Sequence, residues 1–206
     1  MTAGERAGPL SGAVRPHGPR LWFVTHPEVV IDPDLAVTRW HLSETGRRRM
    51  AAFAALPLLR NVDRIVCSDE PKATEAARIL ADRLDVGVTR LAALGENDRS
   101  ATGVLPKDLF EQAANEFFAR PHESFRGWER ACDAQARIVD AVAQVLRERG
   151  DGDGDIVIVS HGAVGTLYKC HLKGIAITRA EDQRSQGHYY GFAPDGRLLH
   201  DWLPIA

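Results

Sequence analysis

Short apolar runs alternate along the chain with longer stretches in which apolar residues recur every three or four positions. Leu21-Trp22-Phe23-Val24-Thr25 is the first run. Apolar character at nearly every position suits a strand covered on both faces. Arg64-Ile65-Val66-Cys67-Ser68 and Ile156-Val157-Ile158-Val159-Ser160 have the same character, and residues 86–91 form a weaker run. Residues 189–192 and 198–202 flank Asp195-Gly196, a turn pair that predicts a closing hairpin. Helical spacing fills the intervals. Ser43 is a suitable N-cap for a helix that Pro57 should kink or end. Residues 73–84 place Ala73, Ala76, Ala77, Leu80 and Ala81 on one face. Residues 107–120, 128–149 and 163–172 continue the series, and the second of these is long and amphipathic. Residues 28–39 and 95–106 carry no sustained period and read as loops. The alternation of strand and helix predicts an α/β fold with a largely parallel sheet.

Composition leaves that picture intact and narrows the function. A length of 206 residues suits one domain over 21–206, preceded by a flexible Gly- and Pro-rich tail over 1–20. With 44% apolar and 26% charged residues, the chain has material for a sizeable core. A net charge of −2 gives no general electrostatic case for nucleic acid or an anionic membrane as partner. No apolar stretch approaches the roughly 20 residues that cross a bilayer. The N-terminal segment also lacks a signal-peptide core, so the expected location is the cytoplasm. Cys67, Cys132 and Cys170 form no CxxC pair and read as reduced, buried small hydrophobes. No ligand set has the spacing of a zinc site, and Gly150 to Gly154 lacks the endings of a phosphate or calcium loop. Neither metal nor cofactor is expected. A second copy of the chain is a candidate partner, though no interface pattern points to it.

The candidate chemistry sits at strand ends. His26 follows the first apolar run directly, and His161 follows the run that ends at Ser160. A histidine so placed lies at the carboxyl edge of a sheet, where open α/β folds bind ligands. Two of them, far apart in sequence, point to one shared site. Four blocks then occur in order: Val24-Thr25-His26-Pro27, Leu42-Ser43-Glu44-Thr45-Gly46, Ser68-Asp69-Glu70-Pro71-Lys72-Ala73 and Val159-Ser160-His161-Gly162. Together they resemble the histidine phosphatase superfamily, also called phosphoglycerate-mutase-like, from Leu21 to about Gly174. That resemblance implies a mixed, mostly parallel sheet sandwiched between helices. It also implies a metal-independent phosphatase in which His26 attacks a phosphoryl group and water then hydrolyses the phosphohistidine. A neutral imidazole is needed for that attack, and nearby cations favour it. His161 would supply charge or a hydrogen bond to the phosphoryl oxygens, and Glu96, raised in pKa by partial burial, would protonate the leaving oxygen. The substrate would be a phosphorylated small molecule or phosphoprotein.

The departures bear on this expectation. Thr25 stands where the family carries its first arginine, Lys72 where it carries its second, and Pro27 where it carries glycine. Arginine binds two phosphate oxygens with a planar fork; lysine is a point charge and threonine only a hydroxyl. Three outcomes are open: replacement cations, with Arg39 and Arg99 the best placed; a less charged or different phosphorylated substrate; or a catalytically weak or inactive member that binds a phosphorylated metabolite or protein. Thr25, Lys72, Arg39, Arg99 and Gly162 are the candidate substrate-binding positions. His188 begins a strand that could approach the pocket, although a surface or core position is the simpler reading. The aromatic residues Phe110, Phe117, Phe118, Phe125 and Trp128 suit core packing, or a lid that grips a substrate side chain.

Overall fold

A computed structural model of the protein describes residues 18–150 and 152–205. The expected tail over 1–20 falls almost wholly outside these residues. The elements are β1 (Leu21–Thr25), α1 (Glu44–Ala54), β2 (Val62–Cys67), α2 (Pro71–Leu84), β3 (Val88–Arg90), α3 (Lys107–Ala119), α4 (Ala131–Arg147), β4 (Asp155–Ser160), α5 (Gly162–Lys173), β5 (His188–Phe192) and β6 (Leu198–Pro204). One six-stranded sheet runs in the order β3-β2-β4-β1-β5-β6. The first four of these positions are parallel; β5 and β6 close the sheet antiparallel, as the Asp195-Gly196 hairpin requires. Gly196 takes φ +86°, a conformation that favours glycine at the turn.

Alternation along the central strands divides the core into two layers. Leu21 and Phe23 of β1, with Ile156 and Ile158 of β4, pack against α3, α4 and α5. Trp22, Val24, Val157 and Val159 face the other way, against α1 and α2. Successive strand residues point to opposite faces, so a continuous apolar run is what a sheet covered on both sides demands.

Boundaries differ from expectation where local chemistry intervenes. Helix α1 ends at Ala54, just before Pro57, which is one of the two outcomes expected of that proline, and Pro57 itself opens a 3₁₀ turn. Helix α4 begins at Ala131, three residues late, because Arg126 and Gly127 both adopt positive φ and form a turn that holds Trp128 outside the helix. The expected strand over 86–91 shrinks to three residues, since the Val86 amide donates to Ala81 and closes the end of α2. Cys67 and Cys170 are buried as expected, but Cys132 is only partly so, and all three are free thiols.

The topology places the site. Strands β1 and β4 are parallel neighbours, but the chain leaves β1 toward α1 on one face and leaves β4 toward α5 on the other. A crevice opens between such diverging connections, at the carboxyl ends of the strands.

Candidate active site

Register brings the two histidines together. Thr25 lies opposite Ser160, so His26 and His161 emerge side by side, and the His26 amide donates to the Ser160 carbonyl at 3.1 Å. The rings meet edge to face with centroids 5.2 Å apart. His26 is 8% exposed and lines a cavity of about 400 Å³ at this crevice; His161 stands behind it, fully buried, and does not line the cavity.

The surroundings of His26 set its state. Its Nδ1 lies 2.9 Å from the Pro27 carbonyl. A carbonyl only accepts, so Nδ1 carries the proton and Nε2 keeps its lone pair. Burial holds the pKa down from 6.5 to about 3, with the Lys72 charge acting the same way. His26 is therefore neutral across physiological pH. Burial also keeps His161 well below the usual imidazole range, and the neighbouring His26 adds to this. His161 Nε2 sits 2.9 Å from Ser68 Oγ and 3.3 Å from Glu70 Oε1, while its buried Nδ1 has no hydrogen-bond partner among the described residues.

Lys72 and Glu96 line the cavity, but each is engaged inside the protein. Lys72, 2% exposed, pairs with the Glu70 carboxylate and donates to the Val37 carbonyl at 2.9 Å. Glu70 Oε1 also accepts the Glu96 amide at 3.0 Å. Glu96 accepts the amides of Ala163 and Val164, at 3.3 and 3.2 Å, and so caps the N-terminus of α5. Free amides at a helix start attract an anion, and here a carboxylate of the protein takes that place. Burial raises the Glu96 pKa, against a smaller opposing effect from Arg99. Ser68 and Glu70 belong to the block read for Lys72, yet the pattern itself did not mark Glu70 as a site residue.

The other expected positions divide. Arg99 lines the cavity with its guanidinium 5.1 Å from the Phe110 ring centre. Gly162 lines it too, and a Cβ there would lie 2.6 Å from Gln183 Nε2. Thr25 does not face the cavity. Its buried hydroxyl donates to Gln183 Oε1 at 2.7 Å and accepts the His188 amide at 3.0 Å, so Gln183 lies between Thr25 and Gly162. Arg39 is exposed on the 3₁₀ turn Val37–Arg39 and is not part of the cavity wall. His188 is buried against the Trp202 edge and does not line the cavity either. Phe117, Phe118 and Trp128 are core residues whose surfaces reach the wall, as the packing reading expects.

Several wall residues escaped the sequence reading, and three of them bear on charge or hydrogen bonding. Asn97 is buried with an amide Nδ2 that has no partner among the described residues. Arg184 is exposed and enters no ion pair among them. Arg179 binds Glu111 and approaches Asp182, so its charge is already met. Among the described residues, Arg99 and Arg184 thus remain as cavity-wall cations without a carboxylate partner within ion-pair distance. Among the described residues no group of three or more His, Cys, Asp or Glu side chains could hold a metal ion, and no helix is long and apolar enough to cross a membrane.

Comparison with known proteins agrees with this architecture. The family model described as "Histidine phosphatase superfamily (branch 1)" matches residues 21–188. No curated protein sequence matches. Among solved structures, mycobacterial glucosyl-3-phosphoglycerate phosphatase with inorganic phosphate superposes with a TM-score of 0.75 at 20% identity, covering 91% of this chain and 98% of its own. Bacillus stearothermophilus YhfR gives 0.72 at 20% identity, over 89% and 95%. A putative alpha-ribazole-5'-P phosphatase from Escherichia coli gives 0.69 at 18% identity, over 92% and 98%. At these identities the likeness is one of fold.

Proposed function

Since the chain belongs to the histidine phosphatase superfamily, we propose that it hydrolyses a phosphomonoester of a small molecule or phosphoprotein through a phosphohistidine on His26. One observation carries the reading. The Pro27 carbonyl holds the His26 Nδ1 proton, which leaves a neutral Nε2 lone pair at the cavity wall. That nitrogen attacks phosphorus, and the bond from phosphorus to the ester oxygen breaks. Glu96 gives its proton to the leaving oxygen, a task that a raised pKa suits. The same carboxylate then accepts a proton from the water that cleaves the N–P bond and frees His26. Arg99, Arg184 and the Asn97 amide are the donors available to phosphoryl oxygens. Phosphoryl transfer depends mainly on such positioning and charge. His161 holds the His26 ring from behind and is a positioning residue in this scheme. The phosphatase names of the structural neighbours support the reaction class and leave the substrate open.

A second reading draws on a separate observation. Glu70 neutralises Lys72, and Glu96 occupies the α5 amides. Both features favour a weak catalyst that binds a phosphorylated ligand of reduced charge. Brief incubation with a ³²P-labelled aryl phosphate, followed by alkaline quench, separates the two. An acid-labile, alkali-stable label that disappears in His26→Ala supports the phosphohistidine. Turnover that persists in His26→Ala removes it, and saturable phosphate binding with neither label nor turnover favours the binding reading.

A further inference from the structure

Resting on the phosphatase reading of the His26 cavity, we propose that its substrate is a phosphomonoester of an apolar, ring-sized alcohol. The alcohol half would sit in a second lobe of the same groove. A cavity of about 430 Å³ adjoins the first and shares Val37, Trp40, Arg99, Phe110 and Gln186 with it. The two are therefore continuous. Their walls differ in chemistry. The His26 lobe presents Lys72, Glu96, Asn97 and Asp182. The second lobe adds Ile31, Val104 and Leu105 to the shared Val37, Trp40 and Phe110; Lys107 joins Arg99 as its charged side chains, and it contains no carboxylate.

Its walls are also set in place before any ligand arrives. The Trp40 indole donates to the Asp32 carbonyl at 2.9 Å, which fixes the ring that both lobes share. Phe110 lies under the Arg99 guanidinium. At the mouth, Ile31 is 67% exposed, next to Val30 at 55%. An exposed apolar pair on a loop does nothing for the core, but it suits a ligand surface that leaves water on binding. Small-molecule sites have this division, with a few convergent polar groups and an otherwise apolar wall. Arg99 stands at the junction, where it can meet a phosphoryl oxygen while the ring of the alcohol stacks beyond it.

The test compares kcat/KM for 2-phenylethyl phosphate and ethyl phosphate, whose alcohols have similar acidity, so leaving-group chemistry does not decide the result. A preference of at least about tenfold for the phenylethyl ester is expected, since one well-seated apolar group gives roughly 10- to 200-fold. In Ile31→Ser and Val104→Ser the ratio should move toward one. Calorimetric titration with the matching phosphonates, which cannot be hydrolysed, gives a readout independent of turnover. Equal kcat/KM values for the two esters overturn the proposal while leaving the phosphatase reading standing; a groove built for a peptide would give this result. A preference unchanged in both variants also overturns it. If no ester turns over, but phenylethylphosphonate binds tighter than ethylphosphonate and both variants lose the difference, the apolar lobe stands and the catalytic reading falls. Equal binding of the phosphonates, with no turnover, removes both.

Discussion

Neutralising Glu70 should tighten phosphate binding, although it removes a buried ion pair. The Glu70 carboxylate contacts the Lys72 ammonium and lies 3.3 Å from His161 Nε2. A phosphoryl group close enough to use Lys72 therefore meets a second negative charge. Two unit charges roughly 6 Å apart repel by about 3 kcal/mol at an effective dielectric constant of ~20. Glu70→Gln removes that repulsion and frees the ammonium to bind the ligand. Part of the gain is lost because the amide still engages its neighbours, so a net tightening of about tenfold or more, ~1.4 kcal/mol per factor of ten, is expected. The ligand-free variant should pay for this in stability. Leaving a buried charge without its partner costs on the order of 3–5 kcal/mol. Calorimetric titration with inorganic phosphate and with orthovanadate measures the first effect, and thermal denaturation with and without phosphate measures the second. Glu70→Gln should melt lower than wild type in the absence of anion and show the larger upward shift when phosphate is added. Adding Lys72→Met should abolish the gain in affinity. Phosphate binding that is unchanged or weaker in Glu70→Gln would show that the carboxylate does not compete with the ligand.

Three further outcomes follow from the same contacts. His26 titrates at about 3 in the folded chain against 6.5 unfolded, so between those values the unfolded state binds the extra proton. Wild-type stability should fall as pH drops from 6.5 toward 3, and urea unfolding at several pH values should show a shallower fall for His26→Asn. Gly165→Ala places a Cβ 2.7 Å from Phe23 Cε1 and 3.0 Å from a Trp202 ring carbon, and overpacking of this kind should cost about 1–3 kcal/mol by denaturant unfolding. Thr25→Val leaves the buried His188 amide without its 3.0 Å acceptor and Gln183 without its donor, for an expected loss of about 1–3 kcal/mol; a variant as stable as wild type would refute that assignment.

The fold was legible because its signals are local and repeated. Apolar runs without polar alternation state that the sheet is covered on both sides, and the structure places β1 and β4 at its centre. The weak points were ends of elements, where one hydrogen bond or one positive φ decides. Trp128 has the right spacing for α4, yet Arg126 at φ +52° and Gly127 at φ +82° turn the chain before the helix can begin. No periodicity reports such a turn, since it depends on backbone conformation and not on the sequence of apolar positions.

The candidate site was legible only where its side chains stand next to the strand ends. His26 and His161 follow from position, because the parallel register of β1 and β4 sets them side by side, and Lys72 follows from its place in the first turn of α2. What the pattern could not show is which charges cancel. Lys72 reads as an anion-binding cation, but Glu70, two residues earlier, turns inward on the same side and pairs with it. Thr25 reads as a lost arginine at the cavity, but its hydroxyl faces Gln183, a residue 158 positions away that brings an uncharged amide to the wall. The effect of these pairings is cumulative. A pocket whose lysine and helix amides are already met by Glu70 and Glu96 has little net attraction left for a dianion, apart from Arg99 and Arg184. Binding of the proposed phosphoester would then draw its free energy from elsewhere, and the apolar lobe beyond Arg99 is a surface next to this site that can supply it. On the proposed phosphatase reading, weak anion recognition and the apolar annex are two halves of one specificity, in which the alcohol would select the substrate and the phosphoryl group would be held only as firmly as its transfer requires.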